Sequence, residues 1–227
     1  MALNTRGNRV DRPTGRRSRE EARAEILDVA EQFLRERSVG ELTVGDLMER
    51  TTIGRSAFYA YFRDRYHLLA ALLERLEAEL VEAARPWLSG SGHADPVADV
   101  RSALEGTVAV WSAHGPVLRA IAEAAGHDAQ VDAAYRWGLL ERFITAVAER
   151  IEEGQALGRI GALDPRETAA ALILMNERYL ADRMGRIPQA NSEAAVEALY
   201  CIWGAVLYGW PRQATAKRQR KGADKRG

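Results

Sequence analysis

The sequence predicts an all-α fold of about nine helices. Three observations predict it. Apolar residues recur at three- and four-residue spacing through most of the chain, the period of a helix face packed on a core. Ser, Thr, Asp and Asn stand just before several of these runs, where they can accept the unpaired N–H groups of a first helical turn. No strand-like alternation, hairpin signal or internal repeat is present.

Taken in order, residues 1–17 hold Gly7, Pro13 and Gly15 with almost no apolar side chains and read as a disordered basic arm. Ser18 and Glu21 have capping-box spacing, and Ile26, Leu27, Ala30, Phe33 and Leu34 follow at helical intervals, so a first helix runs to about Arg37 and stops before Gly40. Thr43-Val-Gly-Asp46 opens a short helix to about Arg50. A turn at 51–53 leads to a third, at 54–60. Asp64 caps a long helix with Leu68, Leu69, Leu72, Leu73, Leu76 and Leu80 on one face, ending near Pro86. Residues 89–93 form a loop. Beyond it the spacing predicts helices over 96–114 and 116–125, broken at Gly115-Pro116, and a long one over 128–155. Gly154, Gly158 and Gly161 punctuate its exit. Asp164 followed by Pro165 starts a helix to about Met184, and Asn191 or Ser192 caps a last helix ending near Tyr208.

Charge divides the chain more sharply than its net value of zero implies. Residues 1–19 carry six arginines, Arg16 and Arg17 among them, against Asp11 alone. Residues 212–227 carry seven basic residues against Asp224. The body between them keeps 19 basic and 30 acidic side chains, a net charge of −11. A polyanion is attracted to the ends and repelled by the middle. Basic termini also serve solubility alone, and the tail at 211–227 reads as disordered with at most a salt-sensitive contribution to DNA affinity.

Several function classes are excluded. No stretch approaches the roughly 20 apolar residues that span a bilayer; the longest, at 199–210, has 12 residues and two glycines. The polar, Arg-rich start is not a secretory signal, and a single cysteine, Cys201, in an apolar run reads as a buried, inert thiol. A cytoplasmic setting is expected. His67, His93, His114 and His127 lack metal-ligand spacing and suit solvated or capping roles. Ser89-Gly-Ser-Gly lacks the lysine and the preceding strand of a phosphate loop, and no Ser/His/Asp order marks a nucleophile. Glu152 and Glu153 fall on solvated faces. No catalytic residue, metal or cofactor is expected. An all-α enzyme and a small-molecule-binding protein without DNA function are the alternatives, and an Arg-rich arm beside an aromatic head disfavours the second.

Two short helices joined by a three- to four-residue turn fit the helix-turn-helix plan, in which the second helix enters the major groove. Arg55, Ser56 and Tyr59 supply its polar face, while Ala57 and Phe58 pack inward. A small core helix with an aromatic anchor is the other reading. The segment from Thr52 to Leu69, with its Phe58-Tyr-Ala-Tyr-Phe62 run and Arg65 before the long helix, resembles the signature of TetR-family repressors. That resemblance implies a three-helix DNA-binding head over 18–65 and a ligand-binding and dimerisation domain over 66–210. Thr43, Arg55, Ser56, Tyr59, Tyr61, Arg65, Arg16 and Arg17 would then contact double-stranded operator DNA. Two departures are visible. The family's turn carries glycine, a hydrophobic residue and a Ser or Thr cap where this chain has Thr52, Ile53 and Gly54, and Tyr66 stands where the family has glutamate. A β-branched residue at a position of positive φ would be strained.

Leu174-Met-Asn-Glu-Arg178 and the region of Trp203 further resemble a subgroup of that family, the ethionamide-resistance type repressors of mycobacteria. The subgroup encloses a mostly apolar tunnel, which implies a hydrophobic small-molecule effector held by Trp111, Tyr135, Trp137, Phe143, Leu172, Met175, Asn176, Tyr179 and Trp203. Asn176, an isolated amide in an apolar run, is its polar anchor or else a dimer-face residue; for the aromatics plain core packing is the alternative. The resemblance also implies a homodimer through 165–184 and 192–208, and repression relieved by ligand, with activation left open.

Overall fold

The computed structural model describes residues 19–90 and 96–209. Within them the chain is helical throughout, with no strand. The order is α1 (Arg19–Glu36), a 3₁₀ turn (Val39–Glu41), α2 (Val44–Glu49), α3 (Arg55–Tyr61), α4 (Arg65–Leu88), α5 (Pro96–Ala125), α6 (Ala129–Asp132), a π-helical stretch (Ala133–Leu140), α7 (Glu141–Ala156), α8 (Pro165–Arg183) and α9 (Ser192–Tyr208). The arm at 1–17, the Ser18 cap, most of the 89–93 loop and the tail at 211–227 lie outside the described residues.

Most helix starts obey local capping chemistry. The Thr43 hydroxyl oxygen accepts from Asp46 N–H at 3.1 Å. Asp64 accepts from the N–H groups of Tyr66 and His67, Asp164 from Glu167, and Asn191 from Ala194. Gly209 closes α9 at φ 71°, a left-handed conformation that glycine adopts without a Cβ penalty.

Two expected boundaries differ. Helix α4 passes Pro86 and ends at Leu88. Helix α5 does not break at Gly115-Pro116 but runs on to Ala125. Proline lacks the N–H that would reach the carbonyl four residues back, here Ser112. A distant side chain supplies it: Gln189 Nε2 donates to Ser112 O and to Met184 O, each at 2.9 Å. Gly115 makes this approach possible, because a Cβ there would sit 2.4 Å from Met184 O. Replacing Gln189 with alanine should therefore cost about 1 kcal/mol, read as a lower urea midpoint. The long helix expected over 128–155 is helical without a gap from Ala129 to Ala156 but includes the π-helical stretch, a wider turn that periodicity at 3.6 does not anticipate.

One apolar core runs from Ile26, Phe33, Phe58 and Phe62 at the α1–α3 end, along the Leu face of α4, to Leu199 and Trp203 in α9. Helix α4 packs along α5, α7 along α8, and α9 returns against α5. Cys201 is exposed on α9, not buried. The apolar run around it covers two faces of the helix, and only the face of Leu199, Trp203 and Leu207 enters the core.

Candidate functional site

The α1–α3 head is assembled on aromatics. Phe58 is fully buried, with its ring 5.5 Å from that of Phe62, which is buried beside it. Burying Phe58 leaves Arg55, Ser56 and Tyr59 exposed, Tyr59 to 57%. Tyr61 is half-buried against the core. Thr43 is exposed, but its hydroxyl is engaged at the α2 cap, donating to Asp46 Oδ2 at 2.6 Å.

The turn is not strained in the expected way. No non-glycine residue among those described has a positive φ, and Gly54 is extended at φ −68°. Side chains hold the turn instead. Thr51 Oγ1 donates to Met48 O at 3.0 Å and accepts from Ile53 N–H at 3.3 Å. Thr52 N–H and Oγ1 both donate to Glu25 Oε1 of α1, at 2.7 and 2.9 Å. Arg65 is half-buried: it donates to Leu42 O at 3.3 Å and to the Tyr66 hydroxyl at 2.8 Å, with its guanidinium 4.8 Å from the Tyr66 ring centre. Tyr66, which replaces the usual glutamate, is thus the partner of Arg65.

In the body, an apolar cavity of about 90 Å³ lies between α4, α5, the π-helical stretch, α7, α8 and α9. On that measure a water needs roughly 10–15 Å³, so the space holds several waters or part of a small organic molecule. Trp111, Tyr135, Phe143, Asn176 and Trp203 line it. Four other expected residues do not. Leu172 is buried in the core, Met175 and Tyr179 are half-buried against it, and Trp137 is 69% exposed. The reason is helical phase: Ile173, Asn176, Glu177 and Leu180 of α8 face the cavity, so positions 172, 175 and 179 turn aside. Along the π-helical stretch the same role falls to Tyr135, Leu139 and Leu140, and Trp137 points out.

Polar groups in the cavity wall are few and arranged in pairs. Trp203 Nε1 donates to Asn176 Oδ1 at 3.0 Å, and Asn176 is only 8% exposed. The Tyr135 hydroxyl donates to Glu177 Oε1 at 2.7 Å. Burial, and then the adjacent Glu177 carboxylate, push the Tyr135 hydroxyl far above its ordinary value, so it stays protonated and donating. Trp87, a cavity residue that periodicity alone did not single out, stacks edge-on against Trp203 with ring centres 5.4 Å apart.

Residues 26–72 match the profile of bacterial regulatory proteins of the tetR family, and residues 100–209 match that of the C-terminal domain of the transcriptional regulator EthR. The HTH-type transcriptional regulator EthR of Mycolicibacterium smegmatis is 31% identical over 209 residues, covering 90% of this chain and 92% of that protein. The chain belongs to the TetR family. This TetR-family chain is a helix-turn-helix transcriptional regulator, and its relatives are regulators and not enzymes. Its fold is shared with a TetR-family regulator of Syntrophomonas wolfei, at TM-score 0.69 and 18% identity over 83% of this chain and 95% of that one. It is shared too with SmeT of Stenotrophomonas maltophilia, a repressor of the multidrug efflux pump SmeDEF, at TM-score 0.63 and 19% identity over 84% and 90%. Among the described residues no helix of the TetR-family chain is long and apolar enough to cross a membrane.

One further cluster of this TetR regulator escaped sequence reasoning. Glu31 of α1 is 7% exposed, and two arginines and a histidine from three helices converge on it. His114 Nδ1 of α5 lies 2.5 Å from Oε1, Arg35 Nη2 of α1 lies 2.6 Å from the same oxygen, and Arg75 of α4 pairs with Oε2. His114 Nε2 also faces Glu79 at 3.2 Å, and Arg75 Nη1 reaches Asp28 at 2.6 Å. His114 is therefore part of a junction between head and body, not a solvated or capping residue. No short motif signals this, because the partners lie 44 and 83 positions from Glu31. Among the described residues no group of His, Cys, Asp or Glu has the geometry of a metal site.

Proposed function

We propose that this regulator is a repressor that binds a palindromic operator as a homodimer and is released when a hydrophobic small molecule occupies the body cavity. The observation that carries this reading is the pairing, in one chain, of an exposed Arg55-Ser56-Tyr59 face on an aromatic-anchored helix with an apolar cavity served by few polar groups. A major groove accepts one helix, and arginine there forms paired hydrogen bonds to guanine. Two heads roughly 34–36 Å apart would read adjacent turns of the duplex. Exposed Leu174 on α8 and Ile202 and Val206 on α9, at 48%, 40% and 39%, support pairing of these helices with a second copy. Asn176, with its oxygen held by Trp203, keeps its amide N–H groups for a ligand acceptor. A ligand that favours one spacing of the heads shifts the population toward it.

Footprinting on DNA upstream of the gene tests this. Arg55→Ala and Tyr59→Ala should each weaken a protected palindrome by roughly ten- to a hundredfold at fixed salt. Unchanged protection by both variants would remove α3 from the recognition role. The same assay with added hydrophobic compounds reads release.

A further inference from the structure

We infer that the body cavity selects hydrophobic ligands that carry a protonated amine, and that Glu177 is the residue that makes this selection. The inference rests on the cavity being the effector site, and it names the chemistry of the effector. The argument begins with charge. Of the residues lining the cavity, Glu177 is the one carboxylic acid, and no lysine, arginine or histidine is among them. The remainder are aliphatic or aromatic, apart from Thr107 and the Asn176–Trp203 and Tyr135–Glu177 pairs. Thr107 turns its hydroxyl back onto Ala103 O at 2.8 Å.

A carboxylate set into an apolar wall is costly unless it is matched by donors or a positive charge. Glu177 has one donor, the Tyr135 hydroxyl on Oε1. Among the described residues no cation pairs with it, and Oε2 carries no hydrogen bond. Arg136, the nearest basic neighbour of Tyr135 in sequence, is exposed and turned to Asp132 at 2.5 Å. The same Tyr135 bond fixes the carboxylate in place. A ligand ammonium would satisfy the free oxygen through a charge-assisted hydrogen bond, which is about twice as strong as a neutral one. Trp111, Tyr135 and Phe143 in the same wall offer ring faces that attract a cation further. A ligand carboxylate, by contrast, meets like charge with nothing to offset it. The wall therefore ranks three ligands of equal apolar body: amine first, alcohol second, acid last.

Isothermal titration calorimetry of the full chain at pH 7 with phenylbutylamine, phenylbutanol and phenylbutyrate tests the ranking. The amine should bind at least about tenfold more tightly than the alcohol, and the acid more weakly than either. In Glu177→Gln the amine's advantage should vanish while the alcohol's affinity holds, which also reports that the cavity has kept its shape. Equal affinities for amine and alcohol in the unmodified chain overturn the inference and leave the cavity reading intact. An amine preference that survives Glu177→Gln overturns it too, by moving the selection to the aromatic rings. Binding of none of the three overturns the cavity reading and this inference with it.

Discussion

Phe58→Ala should destabilise the chain by about 3–5 kcal/mol, the usual cost of emptying a fully buried phenylalanine site. The loss falls on the head. The Phe58 ring lies 5.5 Å from Phe62 and 5.4 Å from Tyr59, and α3 has only 7 residues, too few to persist without tertiary packing. Urea denaturation of the full chain should show the lower midpoint, and operator binding should fail under conditions where the parent protects its site. Tyr59→Ala makes the informative contrast. Tyr59 is exposed, so its removal should leave stability within about 0.5 kcal/mol while weakening DNA binding. If the two variants lose stability equally, the division of α3 into an anchoring and a reading face is wrong.

The second large effect lies at the junction of head and body. Glu31→Gln should cost about 3 kcal/mol, because it strips the shared counter-charge from Arg35 and Arg75 and a carboxylate partner from His114 at once. The arginine side chains are 45% and 31% exposed, which holds the penalty to the low end of what breaking a buried pair costs. His114→Gln removes one arm of the cluster and should cost about 1 kcal/mol. A urea titration of both variants checks the order. Equal, near-zero effects would mean that solvent already screens the cluster. The junction has a second consequence. His114 follows the cavity residue Trp111 by three positions on α5, so one helix turn joins the cavity wall to the α1 carboxylate. Displacement of α5 by a ligand would act directly on the element that supports α2 and α3.

Local signals carried far along this chain. Thr43, Asp64, Asp164 and Asn191 each cap the helix expected of them, because capping is settled within three residues of sequence. The Leu face of α4 is buried as its spacing implies, and the aromatic run at 58–62 anchors α3 as the helix-turn-helix reading requires. The turn at 52–54 was misjudged for a physical reason. Its geometry is held by Thr51 and by Glu25 of α1, so no left-handed residue is needed, and Glu25 lies 27 positions away. In the cavity, Trp111, Tyr135, Phe143, Asn176 and Trp203 stand where the subgroup resemblance implied, whereas composition alone left core packing open for the aromatics. Trp137 was indistinguishable from them by composition, and only the phase of the π-helical stretch turns it outward.

By itself, then, the sequence determined what depends on neighbours within a turn or two: helix starts, caps, the amphipathic faces and the two short helices of the head. Tertiary structure alone decided which faces meet. It closed the gap left by Pro116 with Gln189, brought Arg35, Arg75 and His114 from three helices onto Glu31, and set Glu177 beside Tyr135 in an apolar wall. Apart from Arg35, which lies one helical turn from Glu31, the partners stand 42 to 83 positions apart. Periodicity records that a residue faces inward. It does not record what it will face.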